Sequence, residues 1–150
     1  MKPWTGALFA VVLTGAMTIA AKPVLGKMLC VSASRAYLRS GPGRQYKPPT
    51  WTVHRYMPLL EIKRQGGWVQ VKDVDGEIHW IKSNLVTDKI KCVTIKYARA
   101  NIRSRPNTNS RVWFKVEKYT SFELLGKLPK WVKLNYHGEV MWVFHTLVWP

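Results

Sequence analysis

The feature that most constrains this chain is a set of landmarks that recurs once, in the same order and at nearly constant spacing. Arg39 is followed 64 residues later by Arg103, each inside an apolar-Arg-Ser run leading to a proline: YLRSGP at 37–42 and NIRSRP at 101–106. Trp68 in GGWVQV matches Trp131 in PKWVKL at an offset of 63. Gly76 in DGEIHWI matches Gly138 in HGEVMWV at 62, and Leu85 keeps that spacing with Leu147. The offset falls one residue at a time, as it does when loops shorten and strands do not. The chain is therefore a tandem duplication, and neither copy exceeds roughly 60 residues, a size that favours one small core per copy.

Within each copy the periodicity is that of strands. Ala36, Leu38 and Ser40 alternate with Tyr37 and Arg39; Val69 and Val71 flank Gln70; Ile78 and Trp80 flank His79. Asp75-Gly76 signals a tight hairpin, and His137-Gly138 does the same in the second copy. About five strands per copy predict a closed or nearly closed barrel, because a lone sheet of that size would leave its edges bare. Trp68, Trp80, Trp131 and Trp142 fall at matched positions and are expected to help pack the barrels. In the turn Ser40-Gly41-Pro42-Gly43, Pro42 fixes φ and the glycines are expected to take positive φ. Arg105 and Asn107 stand in for the glycines in the second copy. Arg reaches the left-handed region only with strain, so the first turn is expected to be the better formed.

Ahead of the repeat, Lys2 precedes sixteen uncharged residues, Gly6 to Ala21. A membrane-spanning helix needs roughly 20 apolar residues, so this run reads as a secretory signal over residues 1–26, with cleavage after Ala21 or Gly26 and no membrane span in the mature chain. The chain carries 24 Lys and Arg against 8 Asp and Glu, a formal charge of +16. Losing Lys2 and Lys22 with the signal leaves +14, spread over both copies, so an anionic partner meets positive potential from any side. Two cysteines in an exported chain favour a disulfide between Cys30 and Cys92 over two free thiols, although the residues alone leave the free pair open.

The combination of an apolar-Arg-Ser-Gly-Pro-Gly turn, Gly-Trp-x-x-Val, Asp-Gly and a Trp-Ile/Val pair resembles the bacterial SH3-like domain of cell-envelope proteins. The second copy keeps the asparagine, Asn101, that the family usually places before its apolar-Arg pair, where the first has Tyr37. The expected architecture is all-β: two tandem SH3-like barrels, residues 29–88 and 95–149, after the signal. His79 and Met141 replace the glycine that the family usually has before its Trp-Val pair, and a side chain there changes how closely a ligand can approach. The resemblance implies an exported, non-catalytic module in the periplasm or cell envelope, binding peptidoglycan or another anionic polymer. Cell-wall peptidases of this kind carry catalysis in a separate domain.

The residues themselves offer little chemistry. Asp73 and Asp75 are the one close acidic pair, and they sit at a hairpin turn where a solvated role is expected. No G-x-S-x-G elbow, phosphate loop or zinc-type spacing among the four histidines and two cysteines is present, so neither metal nor cofactor is expected. Binding remains. Tyr46, Trp51, Trp113 and Phe114 follow the turns and lie among Arg44, Arg55 and Arg111. Aromatic faces amid cations can stack on sugar rings or bases while the charges meet acidic groups. Two other functions fit the composition: a cationic nucleic-acid-binding barrel, which export disfavours, and an envelope adaptor with a proline-recognition groove, which the scarcity of acidic residues disfavours.

Overall fold

A computed structural model describes residues 26–150; the expected signal lies, apart from Gly26, outside the described residues. The first copy contains β1 (Met28–Val31), β2 (Arg35–Leu38), β3 (Trp51–His54), β4 (Pro58–Gln65), β5 (Trp68–Lys72), β6 (Ile78–Lys82) and β7 (Val86–Thr87). The second contains β8 (Cys92–Ile95), β9 (Arg99–Arg103), β10 (Val112–Glu117), β11 (Ser121–Lys127), β12 (Trp131–Tyr136), β13 (Glu139–Phe144) and β14 (Val148–Trp149). Among the described residues the helical elements are two 3₁₀ turns, Ser83–Leu85 and His145–Leu147, each leading into the last strand of its copy.

The two copies have the same strand order. Sheet order β10-β9-β13-β12-β11-β8-β14 in the second repeats, element for element, β3-β2 joined to β6-β5-β4-β1-β7 in the first. The seam is the same too. Arg39 and Trp80 exchange backbone hydrogen bonds of 2.9 and 2.8 Å, and Arg103 pairs with Trp142 in the second copy. The long strands β4 and β11 each carry a register shift, around Ile62 and Leu125, and both residues are exposed. A bulge lets one long strand bend around a small barrel. Alternating strand residues then face inward to give two separate cores, one around Leu29, Val31, Leu38, Leu59 and Ile81, the other around Val93, Ile95, Ile102, Leu134 and Val143. Of the four matched tryptophans, Trp80 and Trp131 are buried and Trp68 and Trp142 half-buried, but none belongs to either core cluster.

The repeated Arg-Ser-x-Pro turn differs from its sequence reading. Gly41 and Gly43 are not in the left-handed region, and neither is Arg105. Both turns close alike: Gly43 N donates to Gly41 O at 2.9 Å, and Asn107 N to Arg105 O at 2.9 Å. Gly41 is needed for close approach, since a Cβ there would lie 2.3 Å from the Tyr46 ring. What shapes the loop is the arginine. Arg39 Nη1 donates to Tyr46 O at 2.9 Å, and Arg103 Nη1 donates to the equivalent Ser110 O and to Thr108 O, both at 2.8 Å.

Hairpin chemistry explains the last step of the drift in spacing, from 63 to 62. His137 (φ 51°) and Gly138 (φ 89°) form a two-residue loop between Tyr136 and Glu139. The first copy needs one residue more: Asp73 N donates to Glu77 O, and Gly76 takes the left-handed position. Asp73 is not solvated, as the sequence suggested, but 4% exposed. Its Oδ1 accepts from the backbone N–H of Asp75 and Glu77, and its Oδ2 accepts from His79 Nε2 at 3.0 Å. His79 Nδ1 in turn lies 2.9 Å from Thr50 Oγ1, so the imidazole at the family's glycine position ties the hairpin to the loop before β3.

The copies are joined covalently. Cys30 of β1 and Cys92 of β8 form a disulfide with a Cα–Cα distance of 6.0 Å. A closed loop of this length is worth about 4 kcal/mol in the chain-entropy model. Reducing the bond should therefore lower the urea midpoint while both β-sheet cores persist, read by denaturation with and without dithiothreitol. The Asp73→Ala change should cost about 2–3 kcal/mol, because it strands a buried imidazole N–H and two turn amides; equilibrium unfolding of the variant checks it.

Candidate binding clefts

A second repeated turn brings the two barrels together. After β3 and after β10 the chain reverses through a tyrosine with positive φ, Tyr56 at 68° and Tyr119 at 71°. The bonding is the same in both: Tyr56 N donates to Val31 O and Tyr119 N to Ile95 O, at 2.9 and 2.8 Å, while Met57 N and Thr120 N each close the turn at 3.2 Å. A bulky residue in this region costs on the order of 1–3 kcal/mol and persists where its surroundings demand it. For Tyr119 the surroundings are the first barrel. Its ring stands edge-on to Trp51 at 4.8 Å, and its hydroxyl donates to Asp75 Oδ2 at 2.6 Å. Lys118 Nζ donates to the other carboxylate oxygen at 2.7 Å.

These bonds favour the ionised form of Asp75 and the protonated forms of Lys118 and Tyr119. Hydrogen bonds from Lys118, and secondarily from Tyr119, hold the Asp75 carboxyl below its ordinary value. Donating to the Asp75 carboxylate raises both the Lys118 ammonium and the Tyr119 phenol. The contact is therefore fully formed at neutral pH.

Between the barrels at this contact lies a cleft of about 440 Å³, lined by Trp51, His54, Arg55, Met57, Lys118 and Tyr119 among others. A second cleft, of about 330 Å³, lies on the second barrel alone, with Arg99, Asn101, Arg103, Lys115, Trp131 and Phe144 in its lining and no acidic side chain. The Trp131 and Phe144 rings meet edge-on at 5.4 Å. In the first barrel the position of Asn101 is held by Tyr37, whose ring lies between Arg35 and Arg39, 5.6 and 5.8 Å from their Cζ atoms.

Of the residues singled out from the sequence, Trp51 and Arg55 share the inter-barrel cleft. Phe114 occupies the strand position that Trp51 has in the first copy, half-buried against the second core and 5.0 Å from Tyr136. Trp113 is 50% exposed, with Arg111 5.4 Å above its ring, and the two belong to neither cleft. Tyr46 and Arg44 stand on the exposed loop before β3, where the Tyr46 ring leans on Gly41. Arg99, Lys118 and Tyr119 were not foreseen. Arg99 could have been found from the Tyr37/Asn101 difference, but the Tyr119 contact is set by how two barrels meet, which periodicity does not report.

The linear order Asp73–His79–Thr50 resembles a hydrolytic relay, yet neither cleft includes any of the three. Nor does the arrangement supply the convergent donors that a developing oxyanion requires. Its chemistry is structural. Asp75→Asn should destabilise the protein at pH 7. Because the folded-state carboxyl is depressed, the wild-type advantage is present above its ordinary value of 3.8 and is lost as pH falls through the folded value. Thermal melts of both proteins at neutral and acid pH should converge at the acid end.

Comparison with known proteins agrees with this architecture. Residues 32–88 and residues 98–148 each match a family described as "Bacterial SH3 domain". The chain is 28% identical over 125 residues to the Bacillus subtilis (strain 168) protein named "Putative N-acetylmuramoyl-L-alanine amidase YrvJ", covering 75% of this chain and 24% of that one. It thus spans about a quarter of that relative's length. Among solved structures, NlpC1 from Trichomonas vaginalis is 12% identical with a TM-score of 0.38, over 87% of this chain and 48% of that one. An NlpC/P60 family protein from Bacillus cereus ATCC 10987 is also 12% identical, with a TM-score of 0.39, over 81% of this chain and 55% of that one. The chain belongs to the bacterial SH3 domain family and carries two such domains in tandem.

Proposed function

We propose that the chain is an exported, non-catalytic module that holds an anionic polymer of the cell envelope, with peptidoglycan as the leading ligand. The observation that carries this reading is the cleft on the second barrel, where Arg99, Arg103 and Lys115 surround an aromatic wall without an acidic side chain. Cations beside a ring edge suit a sugar-peptide polymer: the ring packs on a sugar face and the cations take up stem-peptide carboxylates. Arg103 is committed to the loop carbonyls, so Arg99 and Lys115 are the residues free to serve a ligand. Trp51 and Arg55 in the inter-barrel cleft offer a second surface of the same character. Tyr46, Arg44, Trp113 and Arg111 supply further cation and aromatic contacts along the loops.

Two things support the reading. The relative's name concerns a bond in which a muramoyl sugar meets alanine. The Cys30–Cys92 disulfide suits an oxidising compartment. Co-sedimentation of residues 27–150 with purified peptidoglycan sacculi, across a salt series and with duplex DNA as competitor, tests it. Retention at high salt without displacement by DNA is expected, and Arg99→Gln with Lys115→Gln should weaken it by on the order of tenfold. Displacement by DNA would instead make the chain a nonspecific polycation.

A further inference from the structure

The barrels contact each other reciprocally, and the two halves of the contact are not filled alike. Each tyrosine turn carries a base immediately before it, Arg55 before Tyr56 and Lys118 before Tyr119. Each turn faces the second hairpin of the other barrel. The Lys118–Tyr119 turn meets the β5–β6 hairpin, where Asp75 precedes Gly76. The Arg55–Tyr56 turn meets the β12–β13 hairpin, where the residue preceding the matching Gly138 is His137.

In the first half the Asp75 carboxylate lies between an ammonium at 2.7 Å and a phenol at 2.6 Å. The second half has the same kind of base and the same phenol, but the hairpin residue set against them is His137 where the first half has Asp75, and Glu139, the acid of this hairpin, is not in the lining. It is a cleft of about 330 Å³ whose lining includes Arg55, Tyr56, Phe122, Asn135, Tyr136 and His137, and no acidic side chain. Asn135 is already occupied, donating to Glu123 at 2.7 Å and accepting from Gly138 N at 2.9 Å. Arg55, the Tyr56 hydroxyl and His137 are then the polar groups of the turn and the hairpin tip that can meet a ligand. Phe122 and Tyr136, with ring centroids 6.1 Å apart, form an apolar wall beside them.

We propose that this cleft binds the carboxylate of a peptide, which takes the place that Asp75 takes in the mirrored half of the interface. The protein supplies its own template for the interaction. A guanidinium fork is better suited than an ammonium to a carboxylate arriving from outside, because it can donate two parallel hydrogen bonds. The aromatic wall fits a small apolar side chain on the residue bearing the carboxylate, and the volume suits a single residue rather than a long segment. The inference rests on the reciprocity of the interface. It does not depend on peptidoglycan being the ligand, and it would survive a failure of sacculus binding.

The probe is N-acetylalanine, with N-acetylalaninamide as the uncharged control, titrated into isotopically labelled protein and followed by amide chemical shifts. The acid should shift Tyr56, Ser121 and His137 saturably, and the amide should not. Arg55→Gln, at an exposed side chain, should weaken the response at least tenfold with the rest of the spectrum unchanged. His137→Asp supplies the missing carboxylate from within, at a backbone angle Asp tolerates, and should abolish the response while raising the melting temperature at neutral pH. Asp75→Ala should do the reverse and make Lys118 and Tyr119 respond to the acid. Equal shifts with acid and amide, shifts confined to Arg99 and Lys115, or an undiminished response in His137→Asp would overturn the proposal.

Discussion

In each barrel one residue joins the hairpin β2–β3 or β9–β10 to the rest of the sheet, and that residue has two jobs. The backbone of Arg39 pairs with Trp80 across the seam between β2 and β6, while its side chain holds the carbonyl at the end of the long loop before β3. Arg103 does the same opposite Trp142, with two carbonyls in its grip. Peptide carbonyls accept well from a guanidinium, whose planar fork is preorganised, so little side-chain freedom is lost per bond formed. Sheet closure and loop shape therefore stand or fall together. The exposed loop aromatics, the cleft beside Arg103 and the entry into β3 and β10 all depend on that coupling.

Much of this could be read in the residues, for reasons that can be named. Alternation in Val69–Val71 and Ile78–Trp80 marks strands because period two is a property of the single strand. Repeating landmarks mark two like copies, but about five strands were expected in each and seven are present, the two-residue β7 and β14 being too short to carry a period. The disulfide was foreseeable because only two cysteines are present. The turn at Gly41 was misjudged: sequence shows that a glycine is there, not whether backbone angle or a neighbouring ring demands it. Asp73 was misjudged for a related reason. Hairpin tips are usually wet, and only the return of His79 across the sheet makes this one dry.

The candidate sites were less legible than the fold. Trp51 and Phe114 occupy the same strand position and both pack on their own cores, yet one also meets Tyr119 across the barrel interface and the other meets Tyr136 of its own barrel. That divergence comes from the packing of one barrel on another, a non-local fact with no periodic signature. The Tyr37 and Asn101 pair works the opposite way. A substitution between copies, plain in the sequence, sets a tyrosine ring between two arginines in one barrel and an asparagine in the cleft lining of the other.

The cysteines occupy non-equivalent places in the duplication. With Val31 matched to Ile95 by their shared hydrogen bonds to the tyrosine turns, Cys30 aligns with Thr94 and Cys92 with Met28. Two first copies placed face to face in the same way would offer each thiol a methionine, and two second copies a threonine. Only a first copy and a second copy can be joined. The repeat has thus ceased to be a string of interchangeable beads and has become a lock with two different halves. A chain that gained or lost one copy would be left with a thiol that has no mate.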